Sequence, residues 1–195
     1  MSNEEQNLTS PEQWVDNYGD ALYYYALGRV RNPEVAEEVV QETFLAALKG
    51  KKSFSGRSTE KTWLLGILKH KIIDHFRARA RENPVEDVEN LPDPEQKAFD
   101  KTGHRITPPE RWGNDPLNEV QLNEFWSTFR QCVDGVPAKL AEPFILREYE
   151  ELSSQEVCSI LGISANNLWV RLHRARAHIR LCLEQKMYSS SEVNS

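Results

Sequence analysis

The sequence predicts an all-α protein: two small helical domains joined by a long, acidic, proline-rich linker. Three observations carry this reading. Apolar residues recur at three- and four-residue spacing in two blocks, from about Trp14 to Arg81 and from about Leu117 to Lys186. Helix-start and helix-stop residues punctuate both blocks. Between them, residues 82–116 hold six of the ten prolines and few aliphatics, which is the composition of a linker or irregular chain. A length of 195 residues suits one ordinary domain or two small ones. The expected division is a tail over 1–13, a helical domain over 14–81, a linker over 82–116, a second helical domain over 117–186 and a disordered tail over 187–195.

The first helix of the first block spans about Trp14 to Arg31. Asn32-Pro33-Glu34 opens the second, with Asn as N-cap, Pro at the first helical position and a carboxylate near the positive dipole end. That helix runs to Gly50, a C-terminal stop. Ala36, Val39, Val40, Thr43, Phe44, Ala47 and Leu48 share its apolar face. Glu38, Gln41, Glu42 and Leu45 fall on another face. Lys51 to Thr59 reads as a loop. Thr59 or Ser58 caps a third helix to about Arg81, whose core side is Trp63, Leu64, Ile67, Leu68, Ile72 and Phe76.

The linker carries a tryptophan, Trp112, which implies at least one anchored contact. In the second block Leu117 to Val133 is amphipathic through Leu117, Val120, Phe125, Phe129 and Val133. Gly135 and Pro137 end it, a short helix follows over Ala138 to Glu150, and a last helix begins at Ala165.

The net charge of −6 conceals a strong segregation. Lys69 to Arg81 and Ala165 to Lys186 each carry five basic residues against one carboxylate, whereas Glu82 to Phe125 carries eleven carboxylates against four basic residues. Two basic patches on an acidic chain suit two contacts with a polyanion; two solvated helix faces are the plainer alternative. No run approaches the roughly 18 apolar residues of a membrane span. The acidic start has no apolar segment, which is unlike a secretory signal. Three cysteines, Cys132, Cys158 and Cys182, with no C-x-x-C pair, argue against a disulfide framework and for a cytosolic chain with reduced thiols.

Ser153 to Arg176 has the logic of a helix-turn-helix. Ser153 and Glu156 make a capping box, and Val157, Ile160 and Leu161 supply the buried stripe. Gly162 gives the positive φ of a tight turn, Ile163 fills the corner and Ser164 caps the second helix. Leu168 and Leu172 face the core. Asn166, Asn167, Trp169, Val170, Arg171 and Arg174 are left on the open sides, where the start of such a helix meets base edges. Arg suits guanine and Asn suits adenine; His173, Arg176, His178 and Arg180 lie nearer the phosphates. If Arg171 reads a base, its removal costs about 1–3 kcal/mol of binding at one position.

Three stretches now stand out: DALYYYALGRVRNPEVAEEVVQETFLAAL, GRSTEKTWLLGILKHKIIDHFRARAR and LSSQEVCSILGISANNLWVRLHRARAHIR. In composition, order and spacing they resemble bacterial RNA polymerase sigma factors of the extracytoplasmic-function type, with region 2, a linker and region 4. The resemblance covers residues 14–81 and 118–186, about 70% of the chain. It implies binding to core RNA polymerase and promoter-specific initiation, with no covalent chemistry and no cofactor. Glu38, Gln41, Glu42 and Leu45 match the region that grips the clamp coiled coil of the largest polymerase subunit, and the second domain meets the flap of the second-largest. Phe54, Ser55, Arg57, Ser58 and Thr59 match the loop that captures an unstacked base at the downstream promoter element. His70, Lys71, Asp74 and Arg77 line the duplex edge or single strand, while Trp63 is read as core. Asn166, Asn167, Trp169, Val170, Arg171, Arg174 and Arg176 fall in the helix that reads the upstream element.

Trp169 departs from the family, where a lysine is frequent, and leaves the promoter sequence open. The linker is longer than is usual; by resemblance it threads toward the active-site cleft, and removing 86–95 should weaken initiation more than polymerase binding. An anti-sigma factor is an implied partner. The rival reading is a stand-alone helix-turn-helix regulator, for which the first block has no ligand-domain signature. Acid–base chemistry by His70, Asp74 and His75 lacks a nucleophile or phosphate-loop motif. His178 and Cys182, four residues apart, are the weak case for a metal, and Cys158 is expected to fill the core.

Overall fold

A computed structural model describes residues 8–82, 91, 93–94 and 119–189. The described residues contain α-helices with short 3-10 and π stretches, and no strand. The chain divides into two compact units, Met1–Pro84 and Val85–Ser195.

In the first unit α1 (Pro11–Val30), α2 (Pro33–Gly50) and α3 (Glu60–Glu82) pack mutually. Helix α1 starts three residues before the tryptophan that signalled it, because Pro11 follows Ser10 at the first helical position. Arg31 adopts the left-handed conformation and closes α1, its N–H donating to the Leu27 carbonyl. The expected cap of α2 is present: Asn32 Oδ1 accepts from the Val35 N–H at 3.1 Å. Ala36, Val39, Val40, Thr43 and Ala47 are buried, as the periodicity predicts, and Phe44 is half-buried. Leu48 departs from the expected face and is 48% exposed. Leu64, Leu68, Ile72 and Phe76 bury the inner side of α3, each worth about 1.5–3 kcal/mol. Trp63 and Ile67 are only half-buried.

The second unit contains α4 (Glu119–Asp134), α5 (Ala138–Phe144), α6 (Ser154–Leu161) and α7 (Ala165–Ser189). Helix α5 does not run on as a regular helix to Glu150. It holds Pro143 inside it and widens into a π-helical stretch over Ile145–Tyr149. Both α4 and α5 pack on α7. Helix α7 passes the expected end at Lys186 and continues to Ser189. Val133 is buried, whereas Phe125 and Phe129 are half-buried and stack at 6.3 Å beside the exposed Trp126. Leu117, Trp112 and residues 190–195 lie outside the described residues, as does all of the linker except Glu82, Leu91, Asp93 and Pro94.

The expectation of reduced thiols is overturned. Cys132 of α4 and Cys182 of α7 form a disulfide, with Cα atoms 5.6 Å apart and a sequence separation of 50. An odd cysteine count excludes only complete pairing, and the packing of α4 on α7 brings together two sulfurs that no local spacing relates. Cys182 is thereby spent as a metal ligand. Cys158 is free and half-buried rather than fully in the core.

Candidate polymerase and nucleic-acid interfaces

Helix α2 buries one stripe and presents the opposite one. Glu38, Gln41, Glu42 and Leu45 are all exposed on it, Leu45 by 57%. Leu48, one turn on, extends the same face; its three-residue offset from Leu45 was the available signal. An apolar pair amid carboxylates is unusual for a surface that stays in water. Glu42 also reaches α3, where its carboxylate pairs with Lys71 Nζ at 3.0 Å.

The loop before α3 is organised by aromatic stacking and one carboxylate. Phe54 packs on Trp63 with centroids 5.2 Å apart, and Trp63 meets the edge of Trp14 at 6.0 Å. Glu60, at the start of α3, accepts four hydrogen bonds. Thr9 N–H and Trp14 Nε1 donate to Oε1, and the Thr9 and Tyr18 hydroxyls donate to Oε2, all at 2.8–2.9 Å. Burial pushes the Glu60 carboxyl up, but the four donors outweigh it and hold the group below its usual range. The same bond pushes the Tyr18 phenol up. No sequence signal marked this cluster, because its partners lie 42 to 51 residues away.

On this frame the loop residues take distinct parts. Phe54 is half-buried. Arg57 is exposed and donates through Nε to the Ser55 hydroxyl. Thr59 Oγ1 accepts from the Thr62 N–H at 3.2 Å, so it caps α3 while remaining exposed. Ser58 is half-buried. Along α3, His70 and Asp74 are exposed and Lys71 and Arg77 half-buried, with Arg77 paired to Asp74 at 2.6 Å.

The helix-turn-helix forms through the residues that predict it. The Ser153 hydroxyl accepts from the Glu156 N–H at 3.3 Å, and Glu156 Oε2 accepts from the Ser153 N–H at 2.8 Å. The Ser153 hydroxyl also donates to Glu156 Oε2 at 2.6 Å, and this bond, followed by that from the Ser153 N–H, holds the Glu156 carboxyl below its usual range. Gly162 turns the chain at φ +65°. Ile163 is buried, and the Ser164 hydroxyl caps α7 by accepting from the Asn167 N–H at 3.2 Å.

Two of the expected base readers are not on the open side. Asn167 and Arg171 are 8% and 6% exposed. Arg171 Nε donates to Asn167 Oδ1, and its Nη1 donates to the Lys139 carbonyl of α5 at 3.1 Å. The cause lies in α5. Pro143 has no N–H to return to the carbonyl four residues back, which is that of Lys139, and Arg171 supplies the missing donor. Asn166 and Trp169 remain exposed, Trp169 by 71%, with His173 on the same side. Val170 and Arg174 are half-buried. Arg176 is exposed and pairs with Glu148 at 2.7 Å. Trp169, His173, Arg176, Ala177 and Arg180 line a shallow concavity of about 320 Å³ along the helix. A helix-turn-helix whose second helix presents an indole beside the basic or imidazole side chains of His173, Arg176 and Arg180 defines a nucleic-acid-binding class of protein.

Comparison with known proteins narrows this class. Residues 14–82 match the model of sigma-70 region 2, and residues 127–179 match that of sigma-70 region 4. A probable RNA polymerase sigma factor of Haemophilus influenzae is 38% identical over 169 residues, covering 84% of each chain. RNA polymerase sigma factor YlaC of Bacillus subtilis is 30% identical, covering 88% of this chain and 90% of its own. The ECF RNA polymerase sigma factor SigX of the same organism is 28% identical over 88% and 84% of the two chains. The chain belongs to the sigma-70 family of RNA polymerase sigma factors and is of the extracytoplasmic-function type. It binds core RNA polymerase and promoter DNA and directs promoter-specific initiation of transcription. No helix among the described residues is long and apolar enough to cross a membrane.

Proposed function

We propose a division of labour between the two units. The exposed face of α2, with Glu38, Gln41, Glu42 and Leu45, docks on the clamp of the largest polymerase subunit. Phe54, Arg57, Ser58 and Thr59, with His70, Lys71, Asp74 and Arg77 of α3, hold the melted downstream element. Capturing an unstacked base costs a few kcal/mol, which pocket contacts and stacking offset. Asn166, Trp169, Val170, Arg174 and Arg176 contact the upstream element, while Arg171 and Asn167 hold α7 in place. The protein does no covalent chemistry itself, works in the cytoplasm and is restrained by an anti-sigma factor.

The observation that supports this most directly is the exposed Trp169 at the start of a capped, strongly basic α7. Reconstitution with bacterial core RNA polymerase tests the reading: co-elution, then sequencing of transcripts made from genomic DNA. A discrete set of start sites is the expected result. Failure to bind polymerase, with specific duplex binding retained, would assign the chain to the stand-alone regulators instead.

A further inference from the structure

Arg174 sits on the flank of α7, and its guanidinium is already occupied. Nη1 donates to the Leu91 carbonyl at 2.7 Å, and Nη2 lies 3.7 Å from an Asp93 carboxylate oxygen. Only 14% of the Arg174 side chain meets solvent. Leu91 is 4% exposed, and Asp93 and Pro94 are half-buried. A segment 83 residues away in sequence is thus seated within the second unit by an apolar side chain, a carbonyl and a carboxylate. An oxygen acceptor plus a negative charge on a guanidinium fork is also what a DNA backbone brings to an arginine.

We propose that Leu91 and Asp93 are a built-in competitor for DNA at Arg174, so that the free chain carries its upstream-element helix partly occupied and promoter binding displaces these two residues. This rests on the reading of α7 as the DNA-contacting helix. The ion pair is long and partly wet, which makes it weak; burial of Leu91 supplies most of the hold. A segment docked nine-tenths of the time would weaken apparent affinity about tenfold.

The test uses the full chain and a fluorescein-labelled duplex of about 30 base pairs, carrying the upstream element of a promoter mapped in the reconstitution above and followed by anisotropy. Leu91→Ser and Asp93→Lys are compared with Glu95→Lys, which makes the same charge change as the second within the linker. The expected result is duplex binding tightened about tenfold by the first two, less than twofold by Glu95→Lys, and no gain from either in an Arg174→Ala background. Circular dichroism confirms that each variant folds. Equal gains from Asp93→Lys and Glu95→Lys would reduce the effect to net charge and overturn the proposal, as would unchanged binding in both test variants. Loss of duplex binding in every form, wild type included, would overturn the DNA reading of α7 and this proposal with it.

Discussion

Arg171 donates to the carbonyl of Lys139, the one carbonyl that Pro143 leaves without its helical donor. The arginine that resembles a base reader is therefore a strut between α7 and α5. Arg171→Ala removes the donor that this carbonyl and the buried Asn167 Oδ1 share and should destabilise the second unit by about 2–4 kcal/mol. Thermal unfolding of the purified chain reads this directly. A variant as stable as wild type that had lost sequence preference would restore the base-reading role.

Trp169 is the converse case. Its ring is 71% exposed, so Trp169→Ala should leave stability within about 0.5 kcal/mol. Binding to the upstream element should fall by about 1–3 kcal/mol, unequally across promoter variants. A uniform loss over all duplexes, measured by anisotropy, would make the indole a backbone contact instead.

Leu45 is 57% exposed on the acidic face of α2. Leu45→Asp should weaken association with core polymerase by about 1–3 kcal/mol while the melting temperature of the chain stays put. Competition against labelled wild-type chain for core enzyme measures it. By contrast, breaking the partly exposed Glu42–Lys71 pair should cost about 0.2–1 kcal/mol of fold stability.

Glu60 makes the first unit sensitive to acid. Its folded value is depressed, so the stability it contributes is present above the ordinary 4.5 and is lost as pH falls through the folded value. Unfolding of the wild type should therefore ease below about pH 4.5 by more than that of Glu60→Gln. Glutamine can still accept through one oxygen, and the Thr9 and Tyr18 hydroxyls can turn to accept from its amide. Glu60→Ala should be the least stable of the three at neutral pH. Matching acid profiles for wild type and Glu60→Gln would remove the carboxylate from this account.

The disulfide gives the second unit a redox-dependent stability. A bridge across 50 residues stabilises by up to about 4 kcal/mol in the chain-entropy picture. Reductant should lower the unfolding temperature of the second unit and spare the first. Cys132→Ser should abolish that response, and Cys158→Ser should not.

What the sequence declared was local. The capping box of Ser153 and Glu156, the turn at Gly162 and the Asn32 cap are all settled within four residues, and each is found where the chain announces it. Most of the α2 and α3 core stripes follows from helical period, with Leu48 exposed and Trp63 and Ile67 only half-buried. Misreadings arose where a distant element decides. Arg171 looks open on a helical wheel, since nothing in its own helix reveals that α5 lacks a donor opposite it. Leu48 lies at the margin of the apolar stripe, where a small rotation decides between core and solvent. The partners of Glu60, the seat of Leu91 and the mate of Cys132 are set by helix packing across 40 residues or more, a distance at which pattern carries no information.

The bridge from Cys132 to Cys182 also has a topological meaning. Helices α5 and α6, the turn between the reading helices and every proposed upstream DNA contact lie inside one covalent ring. A single protease cut within that ring would leave the fragments joined. The same cut in the reduced protein would release them, so the helix-turn-helix unit is continuous by two independent routes only while its sulfurs remain paired.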